Sequence, residues 1–381
     1  PPPNITGQLH MGHALDNTLQ DILIRYHRMA GYDTLWLPGT DHASIATQLL
    51  VERDLSKRGI NPHALSVAEK LDYAWAWKAD KGGQIMNQLH ILGVTPAWQR
   101  ERFTMDAGLS AAVTKLFVKM YNEGLIYREK RLVNWCPKQQ TSVSDLEVET
   151  RDEKGKFYYF NYQLADGGVI EIATTRPETL FGDQAIAVHP ENEKLKHLIG
   201  KKAIIPLTDI KIPIIGDEHA DPEKGTGAVK ITPAHDFDDY EVGLRHNLPV
   251  IRVLNDDGTM NDNAGKFSGK DALVCRKEVV EELKSLGLLE KIEPLHHAVG
   301  HCYRCKHTVE PIVSKQWFVK MEPLAKPAID VVRKKSVRFT PERFSKIYFN
   351  WMENVKDWCI SRQLWWGHRI PAWYKDDEVK V

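Results

Sequence analysis

The sequence predicts an α/β fold in which a domain built on an open parallel sheet is interrupted by an inserted, β-rich domain. Three observations predict this arrangement. A helical apolar pattern follows a turn at the start of the chain, and a short apolar strand then ends in polar residues. From about residue 145 to 335 the sequence becomes rich in β-branched runs broken by Gly and Pro, and a helical pattern returns after it.

The first element is a helix that follows a turn, in the stretch PPPNITGQLHMGH. Apolar residues recur at three- and four-residue spacing from Met11 to Ala30, and Gly31 ends the pattern, which predicts a helix with one buried face. The residues at its start are His10, Gly12 and His13. Backbone N–H groups at a helix start favour an anion such as a phosphate of ATP. Taken alone, a His-x-x-His pair more often caps a helix or forms half of a metal site.

The second element is a strand, predicted by the apolar residues Leu35, Trp36 and Leu37 between a Gly and a Pro. The polar stretch GTDHA lies just past its carboxyl end, where open α/β sheets bind ligands. Asp41 is therefore placed to pair with a substrate ammonium group, although an Asp after a strand is often only the N-cap of the next helix.

The later elements divide the chain into three segments. Helical patterns cover residues 66–90 and 107–123, and RLVNWCPK predicts a strand. We assign residues 1–144 to the first domain, residues 145–335 to the insertion and residues 336–381 to a return to the first domain. That return begins with the amphipathic helical pattern of FTPERFSKIYFNWMENVKDW.

Two polar stretches inside the insertion are candidates for chemistry. ATTRPETLFGDQA contains Thr174, Thr175, Arg176, Glu178 and Thr179, between a strand and a turn. GTGAVKITPAHDFDDYEVG carries Lys230, Thr232, Asp236 and Asp239. The two aspartates are three residues apart, so they share a face of a helical first turn. A solvated N-terminal cap is the simpler interpretation of this acidic cluster, and a metal site is less favoured because no further ligand is obvious nearby.

The five cysteines do not have the dense spacing of a disulfide scaffold. Cys302 and Cys305 form a C-x-x-C in HCYRCKH, and Cys136 lies in NWCPKQQT at the other junction of the insertion. Zinc usually takes four ligands, and the sequence offers three thiols. His301 or His307 would be a fourth ligand; the alternative is a metal-free knuckle held by packing.

The stretches PPPNITGQLHMGHAL and LPGTDHASIATQ resemble the catalytic core of class I aminoacyl-tRNA synthetases. The His-Ile-Gly-His signature of that family is present here as His10, Met11, Gly12 and His13. The resemblance extends along the chain and is nearest to the valyl branch. It implies a Rossmann-like catalytic domain with an inserted editing domain, and activation of valine by ATP with Mg²⁺ before transfer to tRNA(Val). It also implies a cytoplasmic protein that acts as a monomer, with no membrane partner.

The resemblance also implies roles for single residues. His10, Gly12 and His13 would contact ATP, and Asp41 would anchor the ammonium of valine. The walls of the valine pocket would be Pro2, Asn4 and Trp358. In valyl enzymes that bind zinc, the first ligand pair reads C-P-x-C, whereas this chain has Gln139 at the second thiol position.

The two polar stretches of the insertion match the valyl editing motifs, where a mischarged amino acid is cleaved from tRNA. Asp239 would hold the ammonium of the wrong amino acid, and Asp236, Thr232 and Lys230 would shape the pocket. The polar cluster of the other stretch includes Thr174, Arg176 and Thr179; Arg176 and Thr179 would contact the tRNA end or the substrate backbone. An apolar valine pocket cannot strongly reject threonine, and the valyl enzyme is the standard example of this limit. A second site that hydrogen-bonds the hydroxyl of threonine can distinguish threonine from valine, which the first site cannot do.

Composition narrows the functional classes. The 51 basic residues balance the 51 acidic ones, so net charge does not indicate an RNA partner. No apolar run approaches the roughly 18 residues of a membrane span. The chain opens on Pro1 and closes without the Lys-Met-Ser-Lys-Ser loop or the anticodon-binding helices of the family, so we expect a fragment that does not aminoacylate alone. The alternatives are an isoleucyl-type enzyme, an inactive RNA-binding relative and a small-molecule nucleotidyl ligase, which would not explain the inserted domain.

Overall fold

The computed structural model describes residues 2–376 and 378–381 of the chain. It divides them into two compact units, each with its own core. The first unit is Pro1–Ile126 together with Gln363–Val381, and the second is Tyr127–Arg362. The predicted insertion, residues 145–335, lies within the second unit.

The first unit is mainly helical around a short parallel strand pair. Its helices are α1 (Met11–Met29), α2 (Ser44–Lys57), α3 (Val67–Leu92) and α4 (Ala107–Asn122). Strand β1 (Gly39–Thr40) pairs in parallel with β2 (Arg102–Phe103). The predicted helices over residues 66–90 and 107–123 are therefore confirmed as α3 and α4. Ser66 caps α3 in a reciprocal capping box with Glu69, as the Ser-x-x-Glu spacing requires.

Helix α1 is confirmed by the structure, but the prediction that its apolar face is buried is wrong. Leu15 is 64% exposed and Leu23 61%, and Met11, Leu19, Ile22 and Tyr26 of the predicted apolar face are exposed as well. The buried residues of α1 are Asn17 and Asp21. Asp21 accepts hydrogen bonds from the backbone N–H and the hydroxyl of Thr95, both at 2.7 Å. The helix therefore packs on its unit through a polar side.

The strand predicted at Leu35, Trp36 and Leu37 is displaced toward the C-terminus. These three residues have no strand assignment, Leu35 is 57% exposed, and β1 begins at Gly39. Asp41 nevertheless follows the strand directly, as predicted, and forms an isolated parallel bridge with Asn4. The core of the unit lies around Trp366, a fully buried side chain whose Nε1 donates to the carbonyl of His42 at 2.9 Å.

The second unit is built on two sheets. The four-stranded sheet has the order β13-β12-β3-β4, and the larger sheet has the order β10-β7-β9-β8-β5-β11, with β6 paired to β5. The strands are β3 (Ile126–Cys136), β4 (Thr141–Val143), β5 (Val148–Leu164), β6 (Val169–Thr174), β7 (Ala185–Val188), β8 (Lys202–Ile204), β9 (Lys211–Gly216), β10 (Ala228–Ile231), β11 (Leu289–Cys302), β12 (Glu310–Val319) and β13 (Trp358–Cys359). In the larger sheet β7 and β9 run in parallel, and the other pairs are antiparallel. This region is therefore β-rich, as the β-branched runs predicted.

Four helices accompany these sheets: α5 (Phe237–Arg245), α6 (Ala272–Ser285), α7 (Glu322–Arg333) and α8 (Phe344–Glu353). The amphipathic helix predicted in FTPERFSKIYFNWMENVKDW is confirmed as α8. A 3-10 helix, Pro177–Gly182, is buried along its whole length beside the core residues Phe160 and Ile172. These six residues belong to the predicted polar stretch ATTRPETLFGDQA, so part of that stretch is buried in the second unit.

The chain ends in a two-stranded antiparallel hairpin of the first unit, β14 (Trp373–Lys375) with β15 (Glu378–Lys380). Among the described residues, no helix has the length and apolar character needed to cross a membrane. The fold is of the α/β class, as predicted.

Candidate functional sites

The two predicted histidines close the start of α1 through a reciprocal hydrogen-bond pair. His10 is the N-cap, and its Nδ1 accepts from the backbone N–H of Gly12 at 3.1 Å. His13 Nδ1 accepts from the backbone N–H of His10 at 3.2 Å. The capping interpretation is therefore correct for both rings. A Cβ at Gly12 would lie 2.9 Å from the His10 ring, so a side chain at this position would displace the ring.

The caps also determine what the rings offer to a ligand. Burial, and then the neighbouring His10, lower the pKa of His13. In a neutral imidazole whose Nδ1 accepts, the proton is on Nε2. His13, and His10 when neutral, each keep an Nε2–H donor beside the positive end of the helix dipole.

The carboxylate of Asp41 is held in the ionised form. Burial acts to raise its pKa, but the hydrogen bonds from His42 and Thr104 outweigh burial, and the pKa of Asp41 is lowered. Thr104 donates to Asp41 Oδ1 at 3.0 Å. A cavity of about 350 Å³ in the same unit is lined by Pro2 and Thr104, among other residues. Asp41 therefore offers a negative charge near a concave surface.

Trp358 lies in the second unit, whereas Pro2, Asn4 and Asp41 lie in the first. It belongs to β13, pairs with Val319 of β12 and is 53% exposed. Its place in an amino-acid pocket stays a prediction.

The second unit brings the two polar stretches of the insertion together. Lys230 projects from β10 and donates to Thr179 Oγ1 at 3.0 Å, from the 3-10 helix. It also donates to Thr232 Oγ1 at 2.5 Å and to Asp183 Oδ1 at 3.0 Å. All four side chains are buried. Thr174 lies at the end of β6, and its hydroxyl accepts from the backbone N–H of Arg176 at 3.1 Å.

Asp183 is a member of this cluster that the sequence analysis missed. Burial raises its pKa, while Lys230 and the hydroxyls of Thr232 and Tyr162 act to lower it. A usable signal was present, because Asp183 and Lys230 are single charges in otherwise apolar runs, LFGDQAIAV and GAVKI. An isolated charge in a buried strand needs a partner.

Asp236 and Asp239, the two predicted aspartates at the start of α5, have different roles. Asp236 is exposed and caps the helix by accepting from the backbone N–H groups of Asp238 and Asp239, so the capping interpretation is correct for it. Asp239 is buried, and its Oδ2 accepts from the backbone N–H of Thr232 at 2.8 Å. Its Oδ1 faces Nε2 of His219 at 3.7 Å. The neighbouring carboxylate of Asp239 is the main cause of the raised pKa of His219.

Arg176 belongs to a network of paired charges next to this cluster. Its guanidinium donates to the carbonyl of His235 at 3.0 Å and to Glu310, and lies 3.4 Å from Glu178. Glu178 in turn accepts two hydrogen bonds from Arg276, at 2.7 and 2.8 Å. Arg176 therefore already has protein partners on several sides, and its side chain keeps 25% exposure.

The three predicted thiols converge at the junction of the insertion. The Sγ atoms of Cys136, Cys302 and Cys305 lie within 4.8 Å of one another. A hydrogen bond from Cys136, together with the backbone N–H groups of Cys305 and Arg304, lowers the pKa of Cys302. The cluster therefore favours a thiolate.

The donor set fits zinc only in part. Structural zinc sites take four ligands, and the cluster found among the described residues has three. His301 instead contacts Glu153 at 2.8 Å through Nε2 and the carbonyl of Lys306 through Nδ1, and His307 is exposed outside the cluster. Gln139 occupies the position at which a second thiol would be needed, and its backbone N–H is directed at Cys136.

Comparisons with known proteins identify the family of the chain. The family model of tRNA synthetases class I (I, L, M and V) matches residues 1–381. The valine–tRNA ligase of Carboxydothermus hydrogenoformans is 59% identical over 99% of this chain and 43% of that protein. The enzyme of the same name from Desulfotalea psychrophila is 55% identical over 98% of this chain and 42% of that protein.

A solved LeuRS–tRNA–LeuAMS complex from Agrobacterium radiobacter K84 aligns with 18% identity and a TM-score of 0.41, over 99% of this chain and 47% of that chain. The chain spans about 43% of the curated relatives it matches. The match of the family model over the full chain shows that the chain belongs to the class I tRNA synthetases.

Proposed function

We propose that the chain is part of a valine–tRNA ligase, which activates valine with ATP, transfers it to tRNA(Val) and hydrolyses mischarged threonyl-tRNA(Val). The names of relatives at 54–59% identity support the valine specificity. The observation that carries the hydrolytic part is Asp239, a buried carboxylate with one oxygen fixed by Thr232 and the other directed at His219.

For the activation step, the donors at the start of α1 would bind the phosphates of ATP. The carboxylate of valine would attack the α-phosphate and displace pyrophosphate, so the protein supplies position and charge stabilisation rather than a nucleophile. The Nε2–H donors of His10 and His13 and the open backbone at Gly12 suit this task. Asp41 would hold the ammonium of valine, and Mg²⁺ would be held largely by the phosphates.

For the hydrolytic step, Asp239 Oδ1 would accept the ammonium of the wrong amino acid. Lys230 and Thr232 would shape the pocket from β10, and Asp236 would fix the first turn of α5. Thr174, Arg176 and Thr179 would form the polar wall of this pocket on the side of the tRNA end. Arg176 would act there through the exposed part of its side chain, since its other side is paired within the protein.

We also propose that the protein acts in the cytoplasm. All five cysteines are free thiols, and disulfides are rare in that compartment. No fourth ligand completes the thiol cluster among the described residues, so we derive no step through zinc.

Hydrolysis of threonyl-tRNA(Val) and valyl-tRNA(Val) by this chain tests the proposal. We expect selective loss of threonine, which Asp239→Ala abolishes because the ammonium loses its partner. Asp238→Ala is the matched control, since Asp238 is an exposed carboxylate on the same helical turn. Equal hydrolysis of both substrates, or full activity of Asp239→Ala, would contradict the assignment. Hydrolysis by a full-length relative but not by this chain would mean that other parts of the protein deliver the tRNA.

A further inference from the structure

We propose that the turn between α7 and α8 carries a binding surface for the phosphate backbone of tRNA, an inference that rests on the function proposed above. Residues 333–346 contain six basic side chains and one acidic side chain, Glu342, in a chain whose basic and acidic residues balance overall. We call the six the basic turn; they are Arg333, Lys334, Lys335, Arg338, Arg343 and Lys346. The zero net charge of the whole chain therefore conceals a local excess of positive charge.

The cations of the basic turn are available to an anionic ligand. All six side chains are exposed. Among the described residues, Arg333 pairs with Glu353 at 2.6 Å, and the other five have no carboxylate within ion-pair distance. Other exposed cations of the unit, such as Lys306 beside Glu149 at 2.7 Å, already have a carboxylate partner. A cluster of unpaired cations is the electrostatic pattern of a surface that binds phosphates.

Contacts between the two helices hold the backbone of the basic turn. The hydroxyl of Tyr348 in α8 donates to the carbonyl of Ala328 in α7 at 2.9 Å. The ring of Phe339, inside the turn, has its centroid 5.0 Å from that of Tyr348. The ion pair of Arg333 with Glu353 joins the end of α7 to the end of α8. The turn is therefore anchored both in its middle and at the helix that precedes it.

Helix α8 leads from the basic turn to the helix that carries Asp239. Lys356, just past the end of α8, lies over the ring of Phe237 with its Nζ 5.5 Å from the centroid. Phe237 and Asp239 belong to the first turn of α5. Helix α8 has 10 residues and is therefore only about 15 Å long. A tRNA whose 3′ end is held at Asp239 is longer than this helix, so its acceptor arm must leave the site along the surface of the unit. The basic turn offers that arm a positive surface.

The test is the affinity of this chain for tRNA(Val) as a function of salt concentration. Each duplex phosphate that a cation neutralises contributes about 0.9 to the slope of log Kd against log salt. We expect the triple variant Lys334→Gln, Arg343→Gln, Lys346→Gln to raise Kd about tenfold or more at about 0.1 M salt and to reduce the slope by about 2–3. The variant Lys334→Arg, Arg343→Lys, Lys346→Arg keeps the charge at the same positions and should bind as the parent chain does.

A matched control removes the same charge elsewhere. Lys194→Gln, Lys211→Gln and Lys284→Gln, combined in one chain, neutralise three exposed lysines in other parts of the second unit, and we expect Kd and the slope to stay unchanged. Hydrolysis of threonyl-tRNA(Val) gives a second readout. Neutralising the basic turn should raise KM at least about fivefold while kcat changes less than about twofold, because these cations hold the tRNA away from the reacting bond.

The outcomes separate this inference from the proposed function. Equal effects of the two triple glutamine variants, or no tRNA binding by this chain, overturn the tRNA surface and leave the proposed function intact. Binding of phosphatidylserine vesicles that requires the basic turn, with unchanged tRNA affinity, also overturns it, since the surface would then serve a membrane. Absence of threonyl-tRNA(Val) hydrolysis in both this chain and a full-length relative overturns the proposed function, whereas a difference in tRNA affinity between the two variants still supports the surface.

Discussion

Removing Arg276 should destabilise the second unit by leaving a buried carboxylate short of a partner. The Glu178 side chain is 1% exposed, and Arg276 holds it through two hydrogen bonds at 2.7 and 2.8 Å. Breaking a buried ion pair typically costs about 3–5 kcal/mol. Two features reduce this figure: Arg276 is 26% exposed, and Arg176 Nε remains 3.4 Å from Glu178. We expect Arg276→Met to lower the free energy of unfolding by about 2–3 kcal/mol.

A double-mutant cycle separates the ion pair from the loss of packing. Glu178→Gln and Arg276→Met should each destabilise the protein, and the double variant should cost less than the sum by about 1–3 kcal/mol. Urea unfolding at pH 7 measures all four free energies, and hydrogen exchange of the Pro177–Gly182 peptide measures the effect locally. A loss below about 0.5 kcal/mol for Arg276→Met, the range of ordinary surface substitutions, would refute this reasoning.

Two further expectations concern Asp217 and the thiol cluster. Hydrogen bonds from Arg245 and the backbone of His219 outweigh burial and lower the pKa of Asp217 to about 2, below its unfolded value. The stabilising contribution of Asp217 is therefore complete above the unfolded pKa and is lost as the pH falls toward 2. Urea unfolding should show Asp217→Asn about 1–2 kcal/mol less stable than the parent at pH 7, with a smaller difference at pH 3; a constant difference would contradict the assignment. Gln139→Cys should tighten zinc binding at least about 100-fold, because it completes a set of four ligands. Chelator competition measures the affinity, and Gln140→Cys, the control, should not change it. Equal effects of the two variants would exclude Gln139 as the position of the missing ligand.

The sequence predicted elements better than it predicted what covers them. The spacing of apolar residues gave the bounds of α1 almost to the residue, because periodicity is a local property. It did not reveal that Asn17 and Asp21 are the residues that face the protein, since that depends on Thr95, which is distant in sequence. The strand predicted near residue 36 was misplaced for a similar reason, since local apolar spacing does not show which residues other parts of the chain cover. Leu35 and Leu37 are apolar, but both side chains are at least half exposed.

The candidate site shows the same division. Thr179, Lys230 and Thr232 were selected because they stand in two polar stretches, and the structure brings these stretches together. Asp183 was missed because it belongs to an apolar run and its partner lies in another strand. A search for polar clusters finds the polar residues around a buried charge but misses a carboxylate that stands in an apolar run.

The exposed side of α1 also has a practical meaning for work with this chain. Burial of a leucine or isoleucine side chain contributes about 1.5–3 kcal/mol to folding, but Leu15, Ile22 and Leu23 stay more than half exposed and contribute only a fraction of that. Exposed apolar surface of this kind promotes aggregation. Polar substitutions at these three positions therefore offer a route to a more soluble protein at little cost in folding free energy. On this helix solubility and stability depend on opposite sides, one apolar and exposed, the other polar and buried.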